Sequence, residues 1–200
     1  MVDNKELRKL IGFKVGKFNG EPLTEEDLLA VKDLGIVGKS LDGQELSIDL
    51  EELKKLSNLE ILSVSQTQIN NTAISHLNSL PKLKSLMLAK CDIAENTIVE
   101  LAGINSLVIN GCNIADRVLL AVPEDVTLAE ENIDLKTLAG KNRLKRLVLA
   151  GCKVPSLRPL SEFKSLEKIS LEGTTVEDSS IEEMKKQVEI SEKGESNPIR

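Results

Sequence analysis

The eleven residues Leu83-Lys-Ser-Leu86-Met-Leu88-Ala-Lys-Cys91-Asp-Ile93 decide how this chain folds. Apolar residues take the first, fourth, sixth and eleventh places, and a cysteine takes the ninth. Leu86 and Leu88 stand two apart, so both point to one face of a strand. The same template fits Leu59, Leu62, Val64, Thr67 and Ile69. It fits Ile104, Leu107, Ile109, Cys112 and Ile114, and again Leu144, Leu147, Leu149, Cys152 and Val154. It fits Leu166, Ile169, Leu171, Thr174 and Val176. Weaker copies are Val31, Leu34, Ile36, Lys39, Leu41 and Pro123, Val126, Leu128, Glu131, Ile133. The seven copies start at 31, 59, 83, 104, 123, 144 and 166, with spacings of 28, 24, 21, 19, 21 and 22 residues.

A strand this short cannot bury its apolar face alone, so neighbouring copies must stack. A second apolar set follows each strand, as in Ile74, Leu77, Leu80; Ile98, Leu101; Leu135, Leu138; Leu157, Leu160, Phe163; and Ile181, Met184, Val188. Spacings of three to four residues predict helical or 3-10 turns there. Strand layer and turn layer then enclose one continuous core. Seven parallel strands span about 30 Å.

At these residues the chain resembles the leucine-rich repeat family, with its L-x-x-L-x-L-x-x-N/C-x-L pattern. The resemblance covers residues 23–190. The segment Thr174-Thr-Val-Glu-Asp-Ser-Ser-Ile-Glu-Glu-Met is similar to the final repeat of short bacterial repeat proteins. It implies an α/β fold: a right-handed leucine-rich repeat solenoid with a parallel inner sheet of about seven strands and helical or 3-10 convex segments. It also implies that the ninth side chain turns inward to bond loop backbone, and that partners bind on the concave sheet.

The organisation expected is an N-terminal cap over 1–30, repeats and C-terminal cap over 31–190, and a flexible tail over 191–200. Residues 3–11 form an amphipathic helix with Leu7, Leu10 and Ile11 on one face and Gly12 at its exit. Phe13, Val15 and Phe18 alternate loosely and are read as a possible strand. Thr24-Glu-Glu-Asp27 is a helix-start box. A structural cap is preferred here over a docking element. The tail has a disordered composition.

Composition excludes several classes. The 200 residues carry a net charge of −6, spread as −4 over the first hundred and −2 over the second, so no basic surface suits nucleic acid. No apolar run approaches the 18 residues of a membrane span. Three cysteines in a chain of this size read as free thiols in a reducing compartment. A cytoplasmic location is therefore favoured over secretion with a signal removed. Trp and Tyr are absent, Phe occurs three times and His once.

Cys91, Cys112 and Cys152 all fall at the ninth place, as do Thr67 and Thr174, so a structural ladder is preferred over metal or redox chemistry. No C-x-x-C spacing points to zinc. Glu131 is the odd member, because an inward carboxylate is costly unless paired. A one-residue shift that hands the ladder role to Asn132 is preferred, against an irregular turn exposing Glu130 and Glu131. His76 has no partner that marks a nucleophile, and no catalytic residue, metal or cofactor is assigned. The basic cluster Lys141, Arg143, Lys145 and Arg146 is read chiefly as a charge ladder, with Glu124 and Glu167 flanking Lys145 and Asp125 beside Arg146. A docking patch for an acidic partner is the alternative.

Third, fifth and seventh places alternate with the buried leucines and face the concave side. Met87, Val108 and Val148 make an apolar stripe there, flanked by Ser85, Ser106, Asn110 and Thr127, with Arg146 and Lys168 beyond. An exposed apolar stripe marks an interaction site. The alternative is a sheet surface that simply favours small and β-branched residues. These nine residues are the candidate partner site of a non-catalytic protein–protein interaction module. A regulatory or targeting subunit acting through its N-terminal helix or C-terminal tail is the second reading. The partner is an unidentified protein, and the chain is a monomer or weak dimer.

Overall fold

The computed structural model describes residues 4–18, 20–39, 50–94, 98–100, 103–112, 119–121, 123–139 and 143–192. One parallel sheet of eight strands runs through them in chain order. Its strands are β1 Asp33–Val37, β2 Ile61–Ser65, β3 Ser85–Ala89, β4 Ser106–Asn110, β5 Asp125–Ala129, β6 Arg146–Ala150, β7 Lys168–Glu172 and β8 Glu189–Ser191. The strand places of every copy land in register, including the two weak ones; Lys39, at the ninth place of the first copy, is exposed, and Leu41 and Ile114 lie outside the described residues. Leu34 pairs with Leu62, Leu62 with Leu86, Leu86 with Leu107, and Leu107 with Val126. Val126 pairs with Leu147 and Leu147 with Ile169. These fourth-place residues are buried, as are the sixth-place ones from Ile36 to Leu171.

The sheet has one strand more than the expected seven. Residues 189–191 pair with β7, matching Lys168 to Glu189 and Ser170 to Ser191. They follow no template, because an edge strand with one neighbour needs only the apolar anchors Val188, which is buried, and Ile190, which packs on the core.

The layer behind the sheet departs from the expectation of helical or 3-10 turns in two consecutive copies; in the next, the expected 3-10 turn Leu135–Thr137 runs directly into a two-residue strand. Helix α3, Asn71–Asn78, and the 3-10 turn Arg158–Glu162 follow the expected spacing. Residues 98–100, 119–121 and 138–139 instead form a second parallel sheet of three strands. These segments lie in the copies spaced 21, 19 and 21 residues apart. A helix advances 1.5 Å per residue against about 3.3 Å for a strand, so an extended return crosses the same distance with fewer residues. The Ile98–Leu101 spacing suggests a helix, but Ile98 lies in a strand, and Leu101 is outside the described residues.

At the N-terminus, helix α1 spans Lys5–Lys14, with Leu7 and Ile11 buried against the first strand and Leu10 packed on the core. The Asn4 side chain caps it, accepting the Leu7 N–H at 2.9 Å. Gly12 is not its exit. The helix continues to Lys14 and leaves through Gly16 at φ 77°, with the Lys17 N–H donating to the Gly12 carbonyl at 2.7 Å. This six-to-one bond is the usual way a helix closes on a left-handed residue. Gly12 is required for a different reason: a Cβ there would lie 2.6 Å from the Lys17 carbonyl oxygen. Phe13, Val15 and Phe18 form no strand, since Phe13 is helical and the closing turn takes the other two.

Helix α2, Glu25–Ala30, opens on the expected box: the Asp27 N–H donates to Thr24 Oγ1 at 3.3 Å and the Thr24 N–H to Asp27 Oδ2 at 2.6 Å. At the other end, helix α4, Ser180–Met184, buries Met184 over the last repeat. The fully buried Ser180 accepts the Leu157 N–H at 2.8 Å through its hydroxyl. The expected tail begins inside β8, and its residues 193–200 lie outside the described residues.

Leu86 sits at the centre of this stack and is fully buried between Leu62 and Leu107. Leu86→Ala is expected to cost about 2–5 kcal/mol, from lost burial and the cavity left behind. For a domain of this size, thermal denaturation should show the midpoint falling by about 4–20 °C. The box at α2 sets a second expectation. A hydrogen bond from Lys17, then the Thr24 backbone and hydroxyl, hold the Asp27 carboxyl at about 2 instead of 3.8. The folded chain thus holds this proton less tightly than the unfolded chain. Its stabilising contribution is whole above about pH 4 and is lost as pH falls towards 2. Melting temperature measured across that window should fall more steeply in the native chain than in Asp27→Asn.

Candidate partner-binding face

Three rows of side chains line the concave sheet, and pairing dictates their neighbours. The fifth-place row runs Gly35, Ser63, Met87, Val108, Thr127, Val148, Ser170 and Ser191. The third-place row runs Asp33, Ile61, Ser85, Ser106, Asp125, Arg146, Lys168 and Glu189. The candidate residues therefore share one face, but they divide into two zones.

The C-terminal half holds an open trough of about 540 Å³. Ser106, Thr127, Arg146, Val148 and Lys168 line it together with Asp125, Ser170, Glu172 and Ser191. Arg146 is bound on both sides of its fork to Asp125, at 2.6 and 2.5 Å. Lys168 lies 3.3 Å from Glu189. Lys145 meets Glu124 at 3.0 Å just outside the face. The hydrogen bonds to Glu124 and to Asp125 push Lys145 and Arg146 upward from their ordinary values, so both stay charged. The basic cluster is thus largely neutralised where it is described. Arg143 spends its guanidinium on the Ile104 carbonyl at 3.1 Å, and Lys141 lies outside the described residues.

Ser85, Met87, Val108 and Asn110 lie beyond this trough, over β3 and β4. Met87 is 40% exposed and Val108 half-buried. Two further apolar residues extend the zone and were not singled out from the sequence: Ile61 at 53% exposure and Val37 at 43%. Their third and seventh places in the template were the available signal. Ile61 pairs directly with Ser85, next to Met87. The face therefore grades from apolar over β1–β4 to charged over β5–β8.

Below the strands, the ninth-place ladder holds the turns in place. The thiols of Cys91, Cys112 and Cys152 donate to the carbonyls of Val64, Leu88 and Leu128 at 3.4, 3.4 and 3.2 Å. The Thr174 hydroxyl does the same to Leu149 at 2.8 Å. In return the Cys91 N–H donates to Cys112 Sγ at 3.4 Å and the Cys152 N–H to Thr174 Oγ1 at 3.2 Å. Burial pushes the Cys152 thiol up. Cys112 is pushed up first by its hydrogen bond with the neighbouring Cys91 thiol and then by burial. Cys112 and Cys152 thus stay protonated, and buried protonated thiols are poor nucleophiles.

Glu131 occupies the ladder itself, and Asn132 does not displace it. The Glu131 side chain is only 2% exposed and accepts the Cys112 N–H at 2.7 Å, while Asn132 faces solvent. The preceding residue explains this. Eighth places adopt the left-handed conformation at Gln66, Lys90, Gly111, Glu130, Gly151 and Gly173. Glu130, at φ 57°, makes the same turn as its equivalents, so no register shift occurs and the next side chain must enter. The exposed Glu130 shows that the turn is regular.

His76 lies half-buried in α3, and among the described residues no three His, Cys, Asp or Glu side chains are grouped to hold a metal. No described helix is long and apolar enough to cross a membrane.

No family model and no curated protein matches the sequence. Solved structures do. Internalin C2 of Listeria monocytogenes aligns over 94% of this chain and 93% of its own, with 18% identity and a TM-score of 0.52. The fold is that of an α/β leucine-rich repeat solenoid. Internalin F of the same organism aligns over 98% of this chain and 77% of its own, with 15% identity and a TM-score of 0.34, which adds nothing further. At such identities the likeness is one of fold.

The ladder makes a graded prediction. Glu131→Ala removes the acceptor from a buried amide and should cost about 1–3 kcal/mol beyond the lost packing. Glu131→Gln keeps an acceptor of the same reach and should cost distinctly less. Denaturant midpoints of the two variants check the order.

Proposed function

We propose that this chain is a non-catalytic protein-interaction module that receives its partner on the concave sheet. The observation that carries the reading is the display of Ile61 and Met87 on a face whose neighbours are small or polar. A chain with a continuous leucine core has room to bury such side chains, and clustered exposed apolar residues mark contact sites. The adjoining charged trough supplies the polar, orienting half of an interface. Arg146, held rigid by Asp125, loses little freedom on binding and is the best polar anchor. Ser85, Ser106, Val108, Asn110, Thr127, Val148 and Lys168 complete the contact surface. Small residues along the middle row leave space for a partner's larger side chains. The fold shared with internalin C2 suits such a role by analogy of architecture.

The second reading, a targeting subunit working through the apolar face of its N-terminal helix, has less support. Leu7 is buried and Leu10 packs on the core, so that face is already committed. A reducing, cytoplasmic setting is consistent with three buried free thiols.

The test uses the intact chain as bait beside the Met87→Glu/Val148→Glu variant, with circular dichroism to confirm that both are folded. A partner captured by the native chain and lost with the variant is expected. Equal capture by both, or no partner at all, would count against the concave face.

A further inference from the structure

The opposite face of the N-terminal helix carries a feature that the concave reading does not use. Two of the three phenylalanines in the chain, Phe13 and Phe18, are 75% and 52% exposed. They meet edge to face, with ring centroids 6.0 Å apart. The third, Phe163, is buried, as an aromatic residue ordinarily is. The exposed pair walls a recess of about 500 Å³ floored by Gly12. That volume is within the range of ligand sites. Around it stand four cationic side chains, Lys5, Arg8, Lys9 and Lys17, against one carboxylate, Glu21. The chain as a whole carries −6, so this recess inverts the sign of its surroundings.

Lys9 reaches Glu6 at 2.9 Å in an exposed pair, which exchanges partners at little cost. Lys17 is committed, reaching Asp27 at 2.5 Å in a largely buried pair and the Pro22 carbonyl at 3.1 Å. Lys5 makes no ion pair among the described residues.

We infer that this recess is a docking site for an acidic peptide segment that packs one apolar side chain into the recess against the Phe13 and Phe18 rings. The rings offer an apolar wall for the anchor, and Lys5 and Lys9 pair with flanking carboxylates, so the two requirements are met around one recess. Glu21 on the rim and Glu6 beside Lys9 oppose an anionic bilayer, whereas a peptide can place its carboxylates away from them. Gly12 keeps the floor low: a side chain there would meet the Lys17 backbone and disturb the recess. This site is separate from the concave face and stands or falls without it.

The test is fluorescence anisotropy with a labelled peptide of about twelve residues, rich in Asp and Glu around a central Leu-Phe pair. Titrants are the full chain, Phe13→Ser/Phe18→Ser, Lys5→Glu/Lys9→Glu and, as a control on the other face, Met87→Glu. The native chain and Met87→Glu should bind alike, and binding should weaken with salt. Each N-terminal double variant should bind about tenfold more weakly or worse. Amide shifts in the native chain should cluster at residues 5–20, which reads the site without any substitution. The proposal is overturned if no saturable binding is seen, if a lysine-substituted version of the peptide binds as well, or if Met87→Glu is the variant that loses binding. It is overturned equally if vesicles containing phosphatidylserine bind the chain through Phe13 and Phe18 while the peptide does not.

Discussion

Parallel pairing between five-residue strands is the constraint from which the rest of the structure follows. None of these strands can satisfy its own amides or hide its own leucines. Each therefore depends on a neighbour in strict register, because a one-residue slip would turn its apolar pair outward. Pairing runs unbroken from Asp33 to Ser191, and the core is the stack of fourth- and sixth-place residues that it aligns. The two edges carry the cost of ending such a stack. At one, α1 lays Leu7 and Ile11 over the first repeat; at the other, Met184, Val188 and a short untemplated strand close the last.

The left-handed eighth place and the inward ninth place keep that register from drifting. After every strand from β2 to β7 the backbone reverses at a positive φ, whether the residue is Gly or a polar side chain. From β3 onward the following side chain turns inward and bonds a neighbouring copy's backbone, whereas Thr67, after β2, bonds the Ser65 carbonyl of its own turn. Thiol, hydroxyl and carboxylate all serve, which shows that the position demands a hydrogen-bonding group of suitable reach more than a particular chemistry. Glu131 illustrates how strongly backbone geometry prevails over the preference of a carboxylate for water: it is nearly inaccessible and hydrogen-bonded to Cys112. Among the described residues no buried side-chain nitrogen or oxygen lacks a partner.

Regular pairing also decides what the surface can do. Because equivalent places stand about 4.8 Å apart across the sheet, side chains far apart in sequence become rows. Asp125, Arg146, Lys168 and Glu189 become one line of charge, two cations flanked by two carboxylates, and Ile61 comes to lie beside Met87. The same geometry leaves the N-terminal cap outside the rows. Its Phe13 and Phe18 are placed by a helix closure at Gly16, not by the repeat.

The sequence by itself determined the repeat, the register of all seven templated strands, the buried leucines and the membership of the concave rows. These depend on periodicity and on near-neighbour stacking, both of which are written locally. It also marked the Thr24–Asp27 box, since capping involves only residues three apart. Tertiary structure alone decided the extended returns at residues 98–100, 119–121 and 138–139, because each is held by pairing with the neighbouring copy whatever its local spacing suggests. It alone added β8, as a strand can be recruited by an open edge without a motif. It alone turned Glu131 inward, since the backbone of its neighbours sets that direction. And it alone exposed Phe13 and Phe18, because the close approach of Gly12 to Lys17 depends on how the helix ends and not on the hydrophobicity of the rings.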